Sequence, residues 1–186
     1  AVTRAPIVGQ LAASGEQPQR SDAQTRSHGC TTTSRVMKLI YDAGCDSEPG
    51  ISKALATARS SQISDLRYDV RFELPGERHA AVAASVMVRF TLAQVDGPIV
   101  IDFNPNQAGA LAVCRVNGIP SHPEHVNGHL VVAPDRLTDG NNAIEFVFTA
   151  GDAPLNRRDD HLYTIFVPAR AHEVFPCFDQ PDLKAR

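Results

Sequence analysis

Leu66-Arg67-Tyr68-Asp69-Val70-Arg71-Phe72-Glu73-Leu74 alternates apolar and charged side chains without a break. A period of two puts the apolar members on one face of a strand and the charged members on the other. Pro75-Gly76 ends the strand. The same alternation resumes at Val82, Val86, Val88, Phe90 and Leu92, which predicts a second strand. Ile99 to Phe103 forms a third, closed by Asn104-Pro105-Asn106, and Ala110 to Val116 a fourth. Asn117-Gly118 then supplies a strong short hairpin signal, because both positions of a type I′ turn need positive φ. Further strands are expected at Leu130 to Val132, around Leu137, at Ala143 to Thr149 and at Leu162 to Val167. Upstream, Ser52 is placed to cap a short helix over residues 51–59. Many short strands with turn signals between them predict an all-β fold, an antiparallel sandwich or an open curved sheet, preceded by one short helix.

Residues 1–49 read differently. No aromatic precedes Tyr41, all eight phenylalanines lie at or after Phe72, and five basic side chains offset five acidic ones. A segment without large apolar side chains cannot offset its ordering entropy, so the expectation is a disordered leader, with one β-domain over 50–186. Ala43-Gly44-Cys45 resembles the end of a bacterial lipoprotein signal, but Asp42 interrupts the apolar stretch before it after three residues, too few for an export signal. Localisation stays open, with export and a cytoplasmic site both compatible.

Composition excludes several classes. The chain has 186 residues and a formal charge of −3, so it lacks the basic surplus of a nucleic-acid binder. No apolar run approaches the ~20 residues of a membrane helix. The four cysteines form no CxxC pair, and no HExxH, GxSxG or P-loop motif occurs. His122, His125 and His129 are the one set with metal-ligand chemistry. Pro123 and Gly128 place them in a solvated loop, where histidines are common without a metal. Cys177, between Phe175-Pro176 and Phe178, reads as a buried, inert thiol.

The most specific stretch is Phe175-Pro176-Cys177-Phe178-Asp179-Gln180-Pro181-Asp182-Leu183-Lys184-Ala185. It resembles the FPCFDEPxxKA motif of the aminopeptidase N family of zinc metallopeptidases. Ile63 to Phe72 resembles the entry into that family's N-terminal domain, and Asp139 to Phe146 its G-x-N-x-[IL]-x-[IV] strand. The resemblance covers about residues 50–186. It implies an antiparallel curved β-sandwich, the saddle-like N-terminal β-domain of a zinc aminopeptidase, truncated before the catalytic domain. That domain would carry GxMEN, HExxH and the zinc; none of these motifs is in this chain, which is therefore expected to be inactive alone.

The resemblance further implies a supporting role, packing on the catalytic domain of the same polypeptide and closing one side of the active-site cleft. Peptide substrate would be met only indirectly. Phe166, Arg170, Phe175, Phe178 and Asp179 would form the interdomain wall, each phenylalanine being equally fit for an ordinary internal core. Val167 stands where many family members carry Gln or Glu against the substrate's N-terminus. With Pro168 it would line an apolar side-chain pocket. His172 stands where many members carry Arg, which leaves Arg170 to pair with Asp179. An exposed wall predicts self-association of the isolated chain. The rival reading is a stand-alone β-sandwich that binds a peptide or protein; the absence of tryptophan weighs against a glycan-binding version.

Overall fold

The computed structural model describes residues 51–105 and 110–186. The predicted leader, its lipoprotein-like stretch, Cys30 and Cys45 lie outside the described residues. Helix α1 (Lys53–Gln62) starts where the Ser52 hydroxyl accepts from the Leu55 amide at 3.2 Å, satisfying one of the free N–H groups of the first turn. It runs straight into β1 (Ile63–Glu73), which pairs antiparallel with β2 (Val82–Leu92).

Further strands are β3 (Ile99–Asp102), β4 (Leu111–Val116), β5 (Ile119–Pro120), β6 (Glu124–Val126), β7 (His129–Val132), β8 (Gly140–Ala150), β9 (Leu155–Arg157) and β10 (Leu162–Thr164). They make a five-stranded sheet in the order β1-β2-β8-β4-β5, a three-stranded sheet β3-β7-β6 and a ribbon β10-β9. Every named pairing is antiparallel.

Alternation decides the core. Val82, Ala84, Val86, Val88, Phe90 and Leu92 of β2 are all buried, and so are Ile144, Phe146, Phe148 and Ala150 of β8 beside them. They join Ile99, Ile101, Leu130 and Val132 of the smaller sheet in one cluster. Phe103 and Phe148 meet edge to face at 5.4 Å between ring centres, a favoured aromatic geometry. β1 is only half covered: Tyr68 and Phe72 pack edge to face on Phe175, from the C-terminal segment.

Three expectations change. Most of the histidine stretch is not a loop: His125 and His129 lie on a second hairpin, β6–β7, turned by Asn127-Gly128 with φ of 50° and 80°, while His122 precedes it. That is the same Asn-Gly chemistry as the Asn117-Gly118 turn, at 52° and 81°. Around Leu137 there is no strand. Pro134, which lacks an amide proton, starts a short 3₁₀ turn (Pro134–Arg136), and Leu137 is buried after it. The last strand stops at Thr164 rather than Val167, and its three residues are exposed.

At Gly151 a β-carbon would meet the carbonyl of Glu173. Only glycine therefore lets the end of β8 pass so close to the C-terminal segment.

Candidate functional site

Asp102 closes an apolar run, Ile99-Val100-Ile101, yet its carboxylate takes part in four hydrogen bonds. It is 2% exposed, and burying a charge is costly unless it is paired and hydrogen-bonded. Four donors supply that. Arg59, reaching in from α1, donates Nη2 to Oδ1 at 2.6 Å and Nη1 to Oδ2 at 2.8 Å. His129 Nδ1 lies 2.8 Å from Oδ1, and an ionised carboxylate only accepts, so the ring proton sits on Nδ1. The Asp179 amide donates to Oδ2 at 2.9 Å. Burial pushes the Asp102 carboxyl up, but the His129 bond and the Arg59 charge outweigh it and hold the pKa at about 2.

The Phe175–Pro181 segment is knitted onto this hub. Asp102 and Cys177 exchange two backbone bonds at 2.8 and 3.0 Å, so the segment continues the three-stranded sheet past β3. The Phe178 amide donates to the Tyr68 hydroxyl at 2.8 Å, and burial raises the Tyr68 pKa. The Phe178 ring packs edge to face on Phe90 at 5.9 Å and carries the Arg59 guanidinium 5.3 Å above it. Gln180 Nε2 donates to the Ala56 carbonyl and the Ser60 hydroxyl. Among the described residues one buried side-chain atom, Arg59 Nε, has no partner.

A cavity of about 410 Å³ opens beside the hub. Its walls include Asn104, Asn127, His129, Ala169, His172 and Asp179. Leu162, Tyr163, Ile165 and Val167 are exposed apolar side chains within one short segment, with Val167 73% exposed. A cis peptide joins Val167 to Pro168, which is also exposed.

The residues singled out in the sequence fall into three groups. Val167 and Pro168 are in solvent. Phe166 and Phe175 are half-buried and touch each other edge to face at 5.8 Å. Phe178 is inside the domain's own core. Arg170 does not pair with Asp179. It bonds Glu173 at 3.1 and 3.2 Å, the near-neighbour carboxylate on its own turn. His172 takes Asp179 instead, Nδ1 to Oδ2 at 2.7 Å.

The three histidines of the hairpin do not converge. His129 is committed to Asp102, His125 Nε2 to the Phe103 carbonyl at 2.8 Å, and His122 is exposed. Among the described residues no three His, Cys, Asp or Glu side chains are grouped to hold a metal. These residues therefore do not fit a zinc site. Burial raises the Cys114 thiol to about 12 and the Cys177 thiol well above its usual value, so both are poor nucleophiles. No described helix is long and apolar enough to cross a membrane.

Arg59 and Asp102 escaped the sequence reading. The available signal was a carboxylate ending a strand otherwise built for burial, and nothing local named its partner 43 residues away.

No protein-family model matches the chain, and no curated protein matches it. Solved structures do. Native leukotriene A4 hydrolase from Saccharomyces cerevisiae superimposes with a TM-score of 0.51 at 16% identity, over 78% of this chain and 26% of that one. Yeast LTA4 hydrolase in complex with bestatin gives 0.52 at 15% identity, over 78% and 25%. An M1 zinc metallopeptidase from Deinococcus radiodurans aligns less well, at 0.46 and 14% identity over 64% and 30%. At these identities the likeness is one of fold. This chain spans about a quarter of the length of the leukotriene A4 hydrolases.

Proposed function

We propose that this chain is the N-terminal, non-catalytic domain of a zinc-dependent aminopeptidase that removes N-terminal residues from peptides. It packs on the catalytic domain of the same polypeptide through the segment that leaves Leu162, Tyr163, Ile165 and Val167 exposed, and closes one side of the active-site cleft. The observation that carries this reading is the setting of the Phe175–Ala185 motif. The stretch that resembles the family most is anchored on the buried Arg59–Asp102 pair, and a segment that leaves several large apolar side chains exposed lies shortly before it in the chain.

Clustered exposed apolar side chains often mark contact surfaces. Val167 and Pro168, exposed and beside the cavity wall at Ala169, sit at the edge nearest the substrate in this reading. Val167 offers no hydrogen bond, so its contribution would be to shape an apolar pocket. Zinc, bound by the catalytic domain, would act as Lewis acid and activate water there. The residues described here hold none of it and contribute shape and support.

The test is an assay of the purified 186-residue chain on aminoacyl amides. The expected result is no chelator-sensitive cleavage, and robust chelator-sensitive cleavage would contradict the proposal. The cavity beside the hub favours a second reading, a stand-alone module that binds a peptide or protein. Binding of a peptide library by the isolated chain, displaced by substitutions in the cavity wall, would favour it.

A further inference from the structure

The 3₁₀ turn Ala171–Glu173 leads from the exposed segment into the motif segment, and few polar contacts hold it to the rest of the fold. Its bonds with Arg170, Val174 and Phe175 stay within the turn and its flanks. Outward, the Asn104 amide donates to the His172 carbonyl at 2.8 Å. The other two outward bonds end on one oxygen: the His172 amide and Nδ1 reach Asp179 Oδ2 at 3.1 and 2.7 Å. Asp179 is itself fixed through its amide on Asp102, so the contact ties the turn to the buried hub.

We propose that His172 is a pH-responsive latch: its imidazolium, gripped by Asp179, holds the Ala171–Glu173 turn on the motif segment, and loss of the ring proton loosens that turn. The groups facing His172 agree in sign. Asp179 bonds it, while Glu173 on its own turn and Asp102 on β3 add negative charge. Arg170 is occupied by Glu173, Arg59 by Asp102, and His129 shares the cavity wall while bonded to Asp102. The Asp179 bond raises the His172 pKa against the opposing effect of burial, and the nearby carboxylates add to the rise. A raised folded value means that the latch's contribution is complete below the ordinary histidine value of ~6.5 and is lost as pH rises through the higher one. Because His172 and Ala169 both line the cavity, loosening the turn also reshapes that wall.

The test uses the full chain. Titration of the His172 ring by NMR should give a pKa above ~6.5. Hydrogen exchange over residues 169–175, corrected for the intrinsic pH dependence, should show protection that falls as pH rises through that value. β2 and β8 should stay flat. Asp179→Asn should bring the His172 titration down and cut protection at low pH. His172→Gln, which keeps a neutral donor, should give low, pH-independent protection. A His172 that titrates at or below the ordinary value overturns the proposal. So does protection of 169–175 that is independent of pH in the unaltered chain, or an Asp179→Asn variant that behaves like it.

Discussion

Segments 162–167 and 175–181 are close neighbours in sequence and both rich in apolar side chains, yet the fold treats them in opposite ways. The second is buried: Pro176, Cys177, Phe178 and Gln180 are covered, and its backbone bonds run to Asp102 and Tyr68. The first leaves Leu162, Tyr163, Ile165 and Val167 in solvent, and only its start, Leu162 to Thr164, pairs with β9. The difference separates two kinds of importance. The stretch that makes the sequence recognisable is an anchor inside the domain. The stretch that stays wet is the one with surface left for a partner.

If the anchor depends on the hub, Asp102→Ala should have the largest effect. It strands the Arg59 charge without its partner, and breaking a buried pair costs roughly 3–5 kcal/mol. Urea denaturation should show that loss or a chain that does not fold; a change below about 1 kcal/mol would mean that the hub is dispensable. Phe178→Ala should follow, at about 3 kcal/mol or more, because its ring fills core space against Phe90.

Acid should act on the same anchor. The Asp102 carboxyl is held low, so its stabilising effect is present above the ordinary carboxylate value of ~4 and lost as pH falls toward about 2. Melting followed by circular dichroism should show Tm dropping across that window. On the other side of the comparison, Ile165→Asp with Val167→Asp should leave stability within about 0.5 kcal/mol per site, since both side chains are already exposed. Sedimentation at rising concentration should show self-association in the unaltered chain and less in the double variant. Equal association in both would remove the segment as the sticky surface.

What the sequence made legible follows the same division. β1, β2 and β8 were readable because each has one wet and one dry face, which prints a period of two. The Asn117-Gly118 turn was readable because few residue pairs tolerate positive φ twice. The β6–β7 hairpin was passed over although Asn127-Gly128 carries the same signal, because its strands are three and four residues long and one holds two polar positions. The hub was illegible for a different reason. Arg59, Asp102, His129 and Asp179 come from four distant places, and long-range polar pairing leaves no period behind. His172 in place of arginine was visible, but its choice of Asp179 over Glu173 depends on turn geometry that spacing does not encode.

If this domain serves a catalytic domain that follows it in the same polypeptide, the natural coding DNA sequenced past the codon for Arg186 should keep an open frame that runs on into a GxMEN loop and an HExxH helix. An immediate stop codon would contradict it and leave a free-standing β-sandwich, with the cavity beside Asp102 as the first place to look for a ligand.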